Sequence, residues 1–259
     1  MSVHEKPWAD GTPCWADLAV PDLELARQFY GSLLGWQFEI GHEDTGFYTT
    51  ALIGGRSVAG IGSVPPGAEG MPTAWLTQIA TSDIQATVDR ATAAGAQVLS
   101  GPMPVMEFGT MAVLADPVGA TFALWQAATM TGANVVNEPG AMTWNENMSN
   151  QFAAAKEFYQ AVFGYEYEDM SAPGFEYATF QVDGRPVGGM GGGESNPFWS
   201  VCFAVSDTDV TVADAVRLGG AVTYGPEDTP YGRIAGFTGP FGERFYVMST
   251  DEPNSPPAS

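Results

Sequence analysis

The feature that most limits the possible folds is an internal repeat. Trp15-Ala16-Asp17 recurs as Trp144-Asn145-Glu146, an offset of 129 residues. Phe29-Tyr30 and Gly35-Trp36 recur at the same offset as Phe158-Tyr159 and Gly164-Tyr165, and Gly55-Arg56 recurs as Gly184-Arg185. Near the end the offset falls to 123, aligning Asp116-Pro117-Val118-Gly119 with Gly239-Pro240-Phe241-Gly242. A 259-residue chain that repeats in this way is built from two copies of one unit. The expected division is an N-terminal tail (1–10), a first domain (11–130), a second domain (131–250) and a C-terminal tail (251–259) rich in Pro, Ser and acidic residues.

Each half is itself divided in two. Leu23, Ala26, Tyr30, Leu33 and Leu34 fall at helical spacing, which predicts a helix over 21–34, with Asp22 as cap and Gly35 as stop. Further helices are predicted over 82–94, 150–162 and 207–218. Alternating segments predict strands over 15–20, 47–53, 57–62, 75–80, 97–99, 110–115 and 121–126. The order strand, helix, three strands thus recurs, and each unit buries its helix on one sheet face. The fold class is α+β, with the two modules of each half expected to form a curved mixed sheet around a cavity.

Composition narrows the partners. The net charge is −21 with only 9 Lys plus Arg, a balance that repels phosphate backbones and anionic lipid heads. Neither nucleic acid nor membrane is expected as a partner. Cys14 and Cys202 form no paired motif, the N-terminus has no apolar signal core, and no stretch reaches the ~20 apolar residues of a membrane span. The expectation is a cytoplasmic monomer or homodimer.

The segment from Trp15 through Val20-Pro21-Asp22 and Phe29-Tyr30 to Gly35-Trp36 resembles the opening strand and helix of glyoxalase/bleomycin-resistance/dioxygenase domains, the vicinal-oxygen-chelate (VOC) superfamily. Ala115-Asp116-Pro117-Val118-Gly119 with the strand to Gln126 resembles their closing turn and strand, and 239–248 is a weaker copy. The layout is similar to two-domain actinobacterial members described as hydroxylases or glyoxalase-like antigens. The resemblance implies two tandem VOC domains, each of two βαβββ modules. It also implies a place for a metal, held by a His on the opening strand, a Glu at the end of the first module, a His or Gln on the fifth strand and a Glu on the closing strand. The matching positions here are Trp15, about Leu76 and Ala123 in the first half, and Trp144, about Ser200 and Tyr246 in the second. Segments 58–62 and 187–191 hold no carboxylate, and the two histidines, His4 and His42, lie in a tail and an acidic loop. No metal and no cofactor are therefore expected.

Strand alternation assigns the faces. Ala16, Leu18 and Val20 suit the helix side, so Trp15, Asp17 and Ala19 face the cavity, as do Trp125, Trp144, Glu146, Met148 and Tyr246. Trp15, Trp75, Gln78, Trp125, Trp144, Trp199 and Tyr246 are the candidate ligand-binding residues. Aromatic walls stack on planar ligands, although Trp15 and Trp144 could equally fill the space a metal vacates. Asp17 and Glu146 are the candidate catalytic groups, as a general base or as a ligand anchor. The competing expectation is a structural salt bridge to Arg56 and Arg185. Gly188 to Gly193 reads as a strand end needing close backbone approach, and Met103, Met106 and Met111 as core or lid. The small Ala19 and Ala123 suggest an open first trough, and Met148 and Tyr246 a crowded second one. The expected function is metal-independent binding of a flat, largely apolar small molecule, an aromatic natural product or antibiotic. The alternative is a metal-free enzyme of secondary metabolism using a cavity carboxylate, ahead of a metal-dependent glyoxalase or dioxygenase.

Overall fold

Four strand-helix-strand-strand-strand modules follow one another in the computed structural model, which describes residues 3–68 and 70–249. The expected tail 251–259 lies outside the described residues. The first half comprises β1 (Pro13–Val20), α1 (Leu23–Leu34), β2 (Gln37–Ile40), β3 (Thr49–Ile53) and β4 (Arg56–Ser63), then β5 (Trp75–Ala80), α2 (Ile84–Ala93), β6 (Gln97–Val105), β7 (Gly109–Ala115) and β8 (Thr121–Ala127). The second half repeats this as β9 (Met142–Met148), α3 (Phe152–Phe163), β10 (Glu166–Asp169), β11 (Tyr177–Val182) and β12 (Arg185–Gly191), then β13 (Phe198–Val205), α4 (Thr208–Arg217), β14 (Ala221–Thr229), β15 (Gly232–Thr238) and β16 (Arg244–Ser249).

Each half forms one eight-stranded sheet, ordered β2-β3-β4-β1-β5-β8-β7-β6 and β10-β11-β12-β9-β13-β16-β15-β14. The sheets are mixed: β1 runs parallel to β4 and β5 to β8, while β1 and β5 meet antiparallel. Asp22, Asp83 and Asp207 cap α1, α2 and α4 by accepting the amides of Leu25, Ala86 and Val210, all at 3.0 Å. The exposed edge strands differ most from expectation. The short β2 has no clean alternation, and β6 continues past residue 99 with two register shifts. Its prolines cost little, because an edge strand has a row of amides with no partner strand.

The helix faces carry two cores, and each core is shared between the halves. Leu18, Phe29, Tyr30 and Trp36 of the first module pack with Phe203, Phe237 and Phe245 of the fourth. Phe122 and Leu124 of the second module pack with Phe158, Tyr159 and Phe180 of the third. Trp75 and Trp199, expected on the cavity wall, lie in these cores. Each donates its indole N–H to a core tyrosine hydroxyl, Tyr30 at 3.2 Å and Tyr159 at 2.7 Å. Leu76 and Gln78 of β5 and Ser200 and Cys202 of β13 face the troughs, so alternation turns Trp75 and Trp199 toward the helices.

Polar links stitch the same interface. Tyr30 donates to Glu243 at 2.6 Å, and Tyr159 to Asp116 at 2.9 Å. Trp36 donates to the Gly140 carbonyl at 2.6 Å and its repeat partner Tyr165 to the Gly11 carbonyl at 2.5 Å. Asn145 and Asn147, which disturb the apolar alternation of β9, point to the same face. The first accepts the Thr77 hydroxyl at 3.0 Å, and the second donates to Asp116 at 3.2 Å. The Asp116-Pro-Val-Gly turn is thus more than a hairpin: Asp116 accepts three amides of its own turn and two side chains of the other half. In the second half the acid moves from the turn's first position, Gly239, to Glu243. A side chain at Gly239 would occupy the space of the Glu243 carboxylate. No described helix is long and apolar enough to cross a membrane.

Candidate functional site

With the helix faces turned toward each other, the opposite face of each sheet forms a trough. Pairing registers place Gly60 and Leu76 beside Asp17, Gln78 beside Trp15 and Ala123 beside Gln78. In the second trough Gly189 and Ser200 flank Glu146, and Cys202 lies between Trp144 and Tyr246. Each half thus has its own sheet and its own trough, as expected of two tandem units, with the shared cores between them. One cleft of about 200 Å³ is bounded by Trp8, Ala80, Trp125 and Thr131, at the edge of the first trough, and another of about 280 Å³ by Leu34, Gly140, Val205 and Asp207.

The floor of each trough holds the same three-residue arrangement. Tyr48 donates to Asp17 Oδ1 at 2.5 Å, and the Trp15 indole reaches that oxygen at 3.0 Å and the Tyr48 hydroxyl at 3.2 Å. In the second trough Tyr177 donates to Glu146 Oε1 at 2.5 Å, and Trp144 donates to the Tyr177 hydroxyl at 3.0 Å. Tyr48 and Tyr177 are absent from the residues singled out in the sequence. They stand 129 apart, the offset of the carboxylates, and that coincidence is the signal that marks them. Gly60 and Gly189 make the arrangement possible, because a Cβ at either would occupy the space of the tyrosine hydroxyl. The glycine run 188–193 serves this close approach, as its sequence suggested.

The expected salt bridges to Arg56 and Arg185 are replaced by these neutral donors. Burial pushes the carboxyls of both Asp17 and Glu146 above the ordinary range, and the hydrogen bonds of tyrosine and tryptophan pull only partly back. Both carboxylates remain half-buried, open to the trough on one side. They differ in how far they are satisfied. Gln78 Nε2 donates to Asp17 Oδ2, so both oxygens of Asp17 are engaged. Cys202 stands where Gln78 would be, and Glu146 Oε2 accepts no hydrogen bond among the described residues. The Cys202 thiol is pushed up by burial, which leaves it protonated and inert.

The troughs also differ in access, in the opposite sense to the sequence expectation. Trp15 is 1% exposed, and with Trp125 it lies in a cluster that also contains Trp8, Met130 and Ala133. The expected N-terminal tail is a strap from Val3 onward. Val3 bridges Val135, His4 stacks on Trp8 at 3.8 Å, and the His4 amide donates to the Asn134 carbonyl at 2.8 Å. Among the described residues nothing comparable covers the second trough, where Trp144 is partly exposed. Met148 and Tyr246, expected to crowd it, lie flat over Gly191 and Gly236 of neighbouring strands. Phe175 stacks on Tyr177 with ring centres 5.7 Å apart and is 56% exposed, and Tyr231 is 61% exposed.

The donors do not suit a divalent metal. No group of three or more His, Cys, Asp or Glu comes together among the described residues. Each trough floor holds one carboxylate whose neighbours are neutral groups, indole, phenol and Gln78 amide or Cys202 thiol, short of the three imidazole or carboxylate donors such a site takes.

The model of the Glyoxalase/Bleomycin resistance protein/Dioxygenase superfamily matches residues 14–124 and 147–247. The anthracycline biosynthesis protein DnrV of Streptomyces peucetius is 37% identical over 262 residues, covering 95% of each chain. The putative glyoxylase CFP32 of Mycobacterium tuberculosis is 39% identical over 255 residues, covering 93% of this chain and 95% of its own. Among solved structures, the Mn(II)-bound glyoxalase from Novosphingobium aromaticivorans superposes with a TM-score of 0.66 at 16% identity, covering 94% of this chain and 84% of that one. The dioxygenase LapB from Pseudomonas superposes with a TM-score of 0.66 at 14% identity, covering 99% and 97%. At such identities these structures share the fold and nothing finer.

Proposed function

The chain belongs to the Glyoxalase/Bleomycin resistance protein/Dioxygenase superfamily, and we propose that it binds a planar, largely apolar small molecule in its second trough without a metal. The observation that carries this reading is the exposed aromatic wall beside a half-satisfied carboxylate: Trp144, Tyr177 and Tyr246 stand about Glu146, and Phe175 stacks on the outer face of Tyr177. Flat aromatic side chains held by packing present stacking surface at little entropic cost. The relatives DnrV and DauV are named for the biosynthesis of anthracyclines, whose fused rings are planar, and this favours an aromatic natural product as the ligand class. Metal independence is supported by the donor set, and elemental analysis of the purified protein should find no stoichiometric zinc, iron, manganese or nickel.

Titration with a neutral hydroxyanthraquinone, followed by quenching of tryptophan fluorescence, tests the reading. One saturable site per chain is expected. Trp144→Ala should weaken it by about 0.5–1.5 kcal/mol, roughly 2- to 12-fold. Two equivalent sites, no saturable binding, or unchanged affinity in Trp144→Ala would overturn it.

A second reading is favoured by one feature, the Tyr177 hydroxyl 2.5 Å from a carboxyl raised by burial. Such a pair can take up and return a proton at a bound ring, making the protein a metal-free acid–base catalyst. Glu146→Gln distinguishes the two, because an amide keeps the shape but cannot accept a proton. Turnover lost while the ligand still binds identifies the enzyme.

A further inference from the structure

We propose that the second trough selects ligands bearing a protonated amine, with Glu146 as the counter-charge; this rests on that trough being the ligand site. Glu146 is a half-buried carboxyl on the trough floor with no cation beside it. Oε1 is occupied by Tyr177, whereas Oε2 accepts no hydrogen bond among the described residues. Arg244, on β16 near Tyr246, is drawn off toward Glu194 at 3.7 Å and lies over the Phe198 ring at 5.1 Å. Glu227 accepts the Tyr224 hydroxyl at 2.5 Å. A lone carboxylate on an apolar wall is costly unless a partner arrives with the ligand.

A second and independent group points the same way. Thr179 lies in the cross-strand row Glu146–Gly189–Thr179, so its side chain emerges on the trough face. It is 8% exposed and its hydroxyl has no hydrogen-bond partner, leaving a buried acceptor and donor for a polar group of the ligand. The Tyr177 ring at the carboxylate and the Phe175 ring stacked on it add π-faces, which attract a cation and tolerate a flat hydrocarbon equally well. In the first trough the equivalent need is met internally, because Gln78 already holds the free oxygen of Asp17. The net charge of −21 steers cations toward the whole surface, and only the second trough offers an unmet carboxylate among aromatic rings.

Binding should also couple to protonation. Burial holds the Glu146 carboxyl above its usual range, and an ammonium beside it would pull it down. Acidification through the raised value therefore neutralises Glu146 and removes the preference for the amine. Tyr177, Tyr224, Tyr246 and Cys202, the other titratable side chains that feel Glu146, are raised and stay neutral in that range.

The test uses the full chain and two anthraquinones, one with an alkylammonium side chain and one with a hydroxyl in its place. The wild-type protein at pH 7.5 should bind the ammonium probe about tenfold more tightly. That ratio should fall toward one in Glu146→Gln, and also in the unaltered protein as the pH is lowered toward the ordinary carboxyl range, a readout that needs no variant. Thr179→Val should weaken the ammonium probe severalfold. Equal affinity for the two probes in the wild-type protein overturns the amine inference and leaves planar binding standing. A preference that survives both Glu146→Gln and acidification overturns the assignment to Glu146. Failure of both probes to bind overturns the planar reading and this inference with it.

Discussion

Asp17 and Glu146 are one residue type by position and two by circumstance. Asp17 accepts Tyr48, Trp15 and Gln78, and the buried Gln78 Oε1 is left with no partner. An asparagine at 17 can be satisfied: its oxygen accepts the tyrosine and indole, and a flipped Gln78 amide accepts its NH₂. Asp17→Asn should therefore melt at or above the wild type at neutral pH, since it also removes a desolvated charge. Asp17→Ala, which strands several buried donors, should cost about 1–3 kcal/mol. Thermal denaturation of the two variants decides the matter, and Asp17→Asn melting well below wild type would place an essential charge at 17.

At the scale of elements, β4 and β12 act as lanes over which tyrosines lie. Both Gly60→Ala and Gly189→Ala put a methyl where a tyrosine hydroxyl sits, and both should lower the melting temperature. Only Gly189→Ala should weaken the anthraquinone probe, because it pushes Tyr177 off Glu146 in the open trough. The first trough is closed over by the strap and the 128–136 connection. If Gly60→Ala lowered affinity as much, the assignment of the site to the second half would fail.

The whole molecule is held by cores that cross between the halves, so neither half carries a complete one. Calorimetry should show a single cooperative transition, and two separated transitions would refute the shared-core account. The pH dependence follows from Asp17, Asp116, Glu146 and Glu243, all raised by burial. A group whose folded value exceeds its unfolded value binds protons more tightly when folded. Its stabilisation is full below the unfolded carboxyl range, about pH 4, and is lost as pH rises through the folded value. The melting temperature should fall from pH 5 to pH 8. Mutual repulsion of a chain at −21 acts in the same direction, so the slope lost in Glu243→Gln isolates the buried acid. A melting temperature that rises over this window contradicts the account.

The sequence by itself determined the duplication, the four modules, their helix caps and the faces of β1, β8, β9 and β16, because repeat offsets and strand alternation are local properties. It marked Trp15, Asp17, Trp144 and Glu146 for the same reason. Tyr48 and Tyr177 are equally legible at the shared offset, but alternation over 47–53 says nothing of the carboxylate that Tyr48 meets on another strand. What tertiary structure alone decided is which polar groups meet. Trp75 and Trp199 went to the shared core, Asp116 and Glu243 to the tyrosines of opposite halves, and Gln78 to Asp17. It also decided that Trp8 and Met130 close the first trough while glycines let Met148 and Tyr246 lie flat in the second. Such contacts join residues tens to hundreds of positions apart, and packing of whole elements, which no local pattern encodes, brings them together.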